Sequence, residues 1–146
     1  MQIFIQNKQR THRINQRNIS KWLRQILLLQ KCEKAEIGVI FVNDRQIRTY
    51  NRDYRRKDKP TDVLSFSMRE GMGGALHPEF LGDVMISLER SAEEASMYGR
   101  APNEQLLILL IHGVLHLLGY DHERSSQEAR RMQRREHLLF KRIYQQ

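Results

Sequence analysis

His112, His116 and His122 fall within the eleven residues His112-Gly113-Val114-Leu115-His116-Leu117-Leu118-Gly119-Tyr120-Asp121-His122, and they are half of the six histidines in the chain. A spacing of four puts His112 and His116 on one face of a helix, about one 5.4 Å turn apart. Two imidazoles so placed can reach one ion at roughly 2.0–2.1 Å. Gly119 then releases the chain from the helix, so that His122 can approach from another direction. A lone histidine on an apolar face is ordinarily a satisfied core residue. Two imidazoles among Leu and Ile without polar partners are costly to bury, and a metal removes that cost. Neutral imidazoles without cysteine favour Zn2+, with Ni2+ or another late first-row ion also suited. Three protein ligands leave a fourth position open, which is the catalytic pattern rather than the structural one. An ion so held can lower the pKa of bound water far enough to give hydroxide near neutrality. Asp121 is a candidate for the carboxylate that orients a ligand imidazole from behind. It is equally a candidate for an Asx turn after Gly119-Tyr120.

These ligands need elements to hold them. From Leu106 to Leu118 only His112 and His116 are strongly polar, and a helix apolar nearly all round is a buried one. Pro102-Asn103-Glu104 opens it, with Asn103 as N-cap and Glu104 at the positive end of the helix dipole. Ser125 and Glu128 have the spacing of a capping box and open the last helix. There Ala129, Met132, Glu136, Leu139 and Ile143 form one stripe, while Arg130, Arg131, Arg134, Arg135, Lys141 and Arg142 crowd elsewhere. Upstream, Met1–Gln6 alternates as a short strand and Asn7–Asn18 reads as a loop. Asn18 caps a helix over Ile19–Lys31, and the β-branched run Ile37–Val42 is a buried strand. Asn43 and Asp44 cap a second helix through about Tyr54. A charged loop, Arg55–Asp62, leads to a strand over Val63–Ser67. Arg69–Phe80, with Gly71, Gly73, Gly74 and Pro78, reads as a long connection. A fourth strand, Leu81–Ser87, passes into a helix ending at Gly99. The order β-α-β-α-β-β-α-α-α predicts an α+β fold in a single domain over residues 1–146. A small mixed four-stranded sheet packs with about five helices, and the buried central helix carries the metal ligands.

Composition narrows the partners. The chain has 146 residues, 40% of them hydrophobic and 29% charged, a globular composition rather than a disordered one. Its net charge is +8, with +7 over residues 1–34, +5 over residues 124–146 and −4 between them. Two basic flanks around a near-neutral to acidic body suit a polyanion, nucleic acid above all. No apolar run reaches the roughly 18–20 residues that span a bilayer, and no signal-peptide core is visible at the start. Cys32 is the only cysteine, which points to a reducing, cytoplasmic compartment. His12, His77 and His137 read as surface residues.

The spacing H-x-x-x-H-x-x-G-x-x-H is similar to that of the metzincin metalloproteases. Those enzymes carry Glu after the first His as general base, whereas this chain has Gly113. The string His112-Gly-x-Leu-His116-Leu-x-Gly-Tyr-Asp-His122 instead resembles the signature of the YbeY family of bacterial endoribonucleases. So do Asn51–Phe66, Leu81–Ser87, and Met132 with Glu136 on the last helix. The likeness runs in order from about residue 40 to residue 136. One departure is Ser67-Met68, where the family has proline after Ser-Phe.

The resemblance implies a single-strand-type, metal-dependent endoribonuclease acting in maturation of the 3′ end of 16S rRNA and in ribosome quality control. It implies Zn2+ on His112, His116 and His122, RNA and the small ribosomal subunit as partners, and an arginine at Arg55 needed for activity. Arg55 also has physical sense, because a guanidinium offers a fixed fork of donors to phosphate and can neutralise charge developing at phosphorus. Lys57, Lys59, Arg130, Arg131, Arg134 and Arg135 are candidates for contacts with the RNA backbone. Two rivals stand beside this reading: a metal-dependent hydrolase on peptides or small molecules, and a non-catalytic zinc-containing ribosome-binding module.

Overall fold

The computed structural model describes residues 1–68 and 79–144. Four strands alternate with helices in the first part of the chain: β1 (Gln2–Asn7), α1 (Gln16–Leu29), β2 (Glu36–Val42), α2 (Asp44–Arg55), β3 (Val63–Ser67) and β4 (Phe80–Ser87). Three helices complete it: α3 (Leu88–Met97), α4 (Pro102–Leu117) and α5 (Ser126–Tyr144). The sheet order is β1-β2-β4-β3. β1, β2 and β4 run parallel, and β3 runs antiparallel along the edge of β4. This is the α+β arrangement expected, with the element order intact.

The two faces of the sheet are unequally covered. Ile37, Val39 and Phe41 of β2 and Val84 and Ile86 of β4 meet α1, α4 and α5 in the main core. On the opposite face Val42, Leu64 and Met85 pack under Ile47 of α2 in a small second core. β2 is thus buried on both sides, which is why its sequence runs apolar without alternation. The stripe expected on α5 delivers Met132, Leu139 and Ile143 to the main core.

Two expected helix starts are corrected. α1 is capped by Asn15, whose Oδ1 accepts the Asn18 N–H at 3.1 Å. Asn18 itself lies in the first turn, and Ile19 N–H already bonds to the Asn15 carbonyl at 3.0 Å. Either asparagine could cap, and the earlier one gains an extra turn. α4 begins after Ala101, with Pro102 at its first position rather than Asn103 at its cap. Proline there surrenders an N–H that a helix start leaves unpaired anyway. Glu104 Oε1 accepts the Ala101 N–H at 3.3 Å. The Asn43 cap stands and is completed by Gln46, the two residues exchanging backbone-to-side-chain bonds of 2.8 and 2.9 Å. The Ser125 hydroxyl accepts the Glu128 N–H at 3.1 Å, as expected at the start of α5. The long connection expected over Arg69–Phe80, with His77 in it, lies outside the described residues except for Glu79 and Phe80.

α4 packs against α3, α5, β3 and β4, and Gly113 sets how closely. A Cβ at Gly113 would meet Val84 Cγ1 at 2.5 Å and Val63 Cγ2 at 3.3 Å. The Ser65 hydroxyl of β3 donates to the Gly113 carbonyl at 2.9 Å. The helix is therefore pressed and pinned onto the sheet at the residue that follows His112.

Candidate metal centre

His112 and His116 project from the one partly exposed stripe of α4, in its last turns. Gly119 has φ +98°, which a side chain would resist, and it turns the chain out of the helix. Asp121 shapes the next step. Its Oδ1 accepts the Glu123 N–H at 2.8 Å and its Oδ2 lies 3.2 Å from Arg124 Nε. That Asx turn presents His122 to the other two rings. The ring centroids are 4.7 Å apart for His112 and His116, 5.3 Å for His112 and His122, and 5.1 Å for His116 and His122. One ring nitrogen from each lies within 4.8 Å of the others. Among the described residues no other group of His, Cys, Asp and Glu gathers in this way.

The electrostatics favour a neutral His116. Burial lowers the pKa of His116, and the neighbouring His112 and His122 lower it further. The Glu123 N–H, followed by Arg124 and the two histidines His116 and His122, holds the Asp121 carboxyl below its usual range. Asp121 thus faces the cluster as an anion while its hydrogen bonds serve the loop.

The carboxylate that touches a ligand ring is Glu136 of α5, whose Oε2 lies 2.9 Å from His112 Nδ1. An Nδ1–H donated to Glu136 leaves the Nε2 lone pair of His112 for an ion. The sequence placed Glu136 in an otherwise apolar inward stripe without giving it work. An acid at such a position is the signal that it has a buried partner.

The cluster opens into a cleft of about 550 Å³ lined by β3, by Tyr54 and Arg55 at the end of α2, and by His112, His116, Asp121, His122 and Glu123. Arg55, distant in sequence, therefore shares a cavity with the histidines. Lys57 and Lys59 are exposed on the loop beyond it, where Asn51 Nδ2 donates to the Lys59 carbonyl at 2.9 Å. Arg130, Arg131 and Arg134 are exposed on α5 and none of them lines the cleft. Arg131 lies over the Tyr120 ring, 4.6 Å from its centroid. Arg135 is committed to α1, bonding the Gln30 side chain and the Leu29 carbonyl, the latter at 2.9 Å. His137 is exposed and His12 is half-buried beside Gln9, whose Oε1 accepts the His12 N–H at 2.8 Å.

Behind His112 a smaller cleft of about 210 Å³ is lined by Asp62, Glu94, Gln105 and Glu136 among others. Burial, and then the Asp62 carboxylate, push the Glu94 carboxyl up to about 7. Gln105 Nε2 donates to Glu94 Oε1 at 3.1 Å, and Arg100 donates to Gln105 Oε1 at 2.8 Å. Asp62 lines both clefts.

Comparison with known proteins agrees with this geometry. The family model described as Endoribonuclease YbeY matches residues 4–144. The chain belongs to the YbeY family. The Endoribonuclease YbeY of Syntrophotalea carbinolica is 46% identical over 142 residues, covering 97% of this chain and 95% of the relative. That of Geobacter metallireducens is 45% identical over 141 residues, covering 96% and 94%. The solution structure of TM1509 from Thermotoga maritima shares the fold, with a TM-score of 0.67 and 24% identity over 97% of this chain and 89% of that one. Among the described residues no helix is long and apolar enough to cross a membrane.

Proposed function

We propose that the protein is a metal-dependent endoribonuclease that hydrolyses phosphodiester bonds in single-stranded RNA. Its substrate on this reading is ribosomal RNA in the cytoplasm, with maturation of the 16S rRNA 3′ end and contact with the small subunit as the setting. The observation that carries it is the meeting of three imidazoles and Arg55 in one cleft, in a chain whose relatives bear the name Endoribonuclease YbeY. His112, His116 and His122 hold the ion, and their all-nitrogen set suits Zn2+. When bound, the ion supplies Lewis acidity at the phosphate. Arg55 binds the phosphate oxygens and offsets the charge that develops on them. Glu136 holds the Nδ1 proton of His112, Asp121 holds the loop that carries His122, and Ser65 anchors α4 beside β3.

The peptidase alternative is weakened by Gly113. A side chain at that position would run into Val84 and Val63 of the sheet, so no base can stand there. A closed structural zinc site would need a fourth protein ligand, and the described residues gather three. The basic flanks support RNA docking, because α1 and α5 pack side by side. The exposed Arg17, Lys21 and Arg24 of α1 and Arg130, Arg131 and Arg134 of α5 supply the phosphate contacts.

The test incubates metal-loaded protein with ribosomal RNA and, separately, with casein, beside His116→Ala and Arg55→Ala. His116→Ala should lose its metal and its RNA cleavage together. Arg55→Ala should keep the metal and cleave roughly 10²–10³-fold more slowly. RNA cleavage that survives both substitutions unchanged, or casein cleavage lost in His116→Ala, would sink the proposal.

A further inference from the structure

We propose that Tyr54 is a nucleobase platform, on which one base of the RNA stacks while the adjacent phosphate lies at Arg55 and the metal centre. This rests on the endoribonuclease reading given above.

Tyr54 is 68% exposed, an unusual condition for a ring held so firmly. It stacks on Tyr50 at a centroid distance of 6.1 Å with an interplanar angle of 8°. Phe66 meets it edge to face at 5.3 Å and 72°. Tyr50 and Phe66 are themselves rooted in the small core formed by Val42, Ile47, Leu64 and Met85. The Tyr54 ring is therefore oriented by neighbours that are anchored to the sheet, and its rotamer is set before any ligand arrives. Of the large hydrophobic side chains found exposed among the described residues, Tyr54 alone lines the histidine cleft.

The placement matches the two chemical halves of a nucleotide. Tyr54 and Arg55 are consecutive residues in the last turn of α2, which Arg56 ends in the left-handed conformation with φ +57°. A flat π surface and a guanidinium fork thus arrive together at the rim of one cavity. An aromatic ring binds a base through its face, which every base possesses, and a guanidinium binds phosphate. A base inside a duplex presents no free face, so this platform takes an unpaired nucleotide. The contact needs the ring and not the hydroxyl.

The test measures binding of an unstructured RNA oligonucleotide carrying 2-aminopurine, and of a ribose-phosphate oligomer of equal length without bases. Wild type, Tyr54→Phe and Tyr54→Ala are compared, with cleavage of ribosomal RNA followed in parallel. Tyr54→Phe should bind and quench the fluorescent base as wild type does. Tyr54→Ala should lose the quench and bind the base-bearing strand roughly 5- to 150-fold more weakly, the range for one base–aromatic stack. It should bind the baseless oligomer as wild type does. Equal binding of the base-bearing strand by Tyr54→Ala and wild type overturns the platform. So does a loss of the same size on the baseless oligomer, which would mark a structural effect, or a Tyr54→Phe defect as large as that of alanine. A wild type that cleaves RNA while any of these holds leaves the endoribonuclease reading standing. A wild type that neither binds nor cleaves RNA brings both down.

Discussion

Glu136 is the residue whose role is seen only in three dimensions. It lies 2.9 Å from His112 Nδ1 across the junction of α4 and α5. Carboxylates in that position fix the ring and raise its basicity, and their loss typically weakens metal binding 10- to 100-fold. Glu136→Gln should therefore lower zinc affinity by about 10- to 100-fold in a chelator competition while the circular dichroism spectrum stays unchanged. An unaltered affinity would mean that the contact is packing alone. Glu94 allows a second test at this scale. Its carboxyl is pushed up to about 7 from an ordinary 4.5, so the fold favours its protonated form. Its contribution to stability is whole below pH 4.5 and is lost as pH rises toward 7. Urea unfolding at several pH values should find Glu94→Gln gaining on wild type across that interval. Parallel profiles would count against it. The cluster is legible in the sequence because three histidines within eleven residues are a local pattern. Glu136 is not, since its meaning depends on which helix its stripe faces.

At the scale of elements, α4 is held by absence of bulk as much as by contact. Gly113 lets it lie on Val84, which is fully buried and β-branched and so has little room to yield. Gly113→Ala should cost about 1–3 kcal/mol in denaturant unfolding, although alanine is the better helix former. A neutral or stabilising result would refute the close approach. Periodicity marks the elements more sharply than it marks their starts. At α1 two asparagines competed for one cap, and propensity alone could not rank Asn15 over Asn18. At α4 the choice lay between a polar side chain at Asn103 and a proline whose fixed φ suits the first helical position. The pairing of β3 with β4 was invisible for another reason. Strand neighbours separated by a long connection are chosen by the whole sheet, not by either segment.

For the molecule as a whole, the two basic ends of the sequence come together. α1 and α5 are neighbours, and Arg135 of α5 grips the Leu29 carbonyl at the end of α1. Charge that is split between the termini in sequence is therefore brought together where these two helices meet. The acidic middle supplies β2, β3 and β4, the cleft and the three histidines. That division was half legible, since the sequence showed the asymmetry but not the adjacency.

The compactness of the ligand set has a further consequence. Chain closure by an ion on these three residues would join His112 to His122 alone, a very short loop, and the entropy such a closure removes from the unfolded chain is small. The main core, from Ile19 to Ile143, includes none of the three histidines. Ion and fold are thus loosely linked through chain topology, in contrast to small zinc modules that unfold when stripped. Exhaustive chelation should leave a cooperative thermal transition and native secondary structure, lowered in Tm only by the mass-action share of binding. Loss of that transition on chelation would contradict this. On the proposed reading such a protein would be made first and charged with metal afterwards, and would exchange one ion for another without passing through an unfolded state.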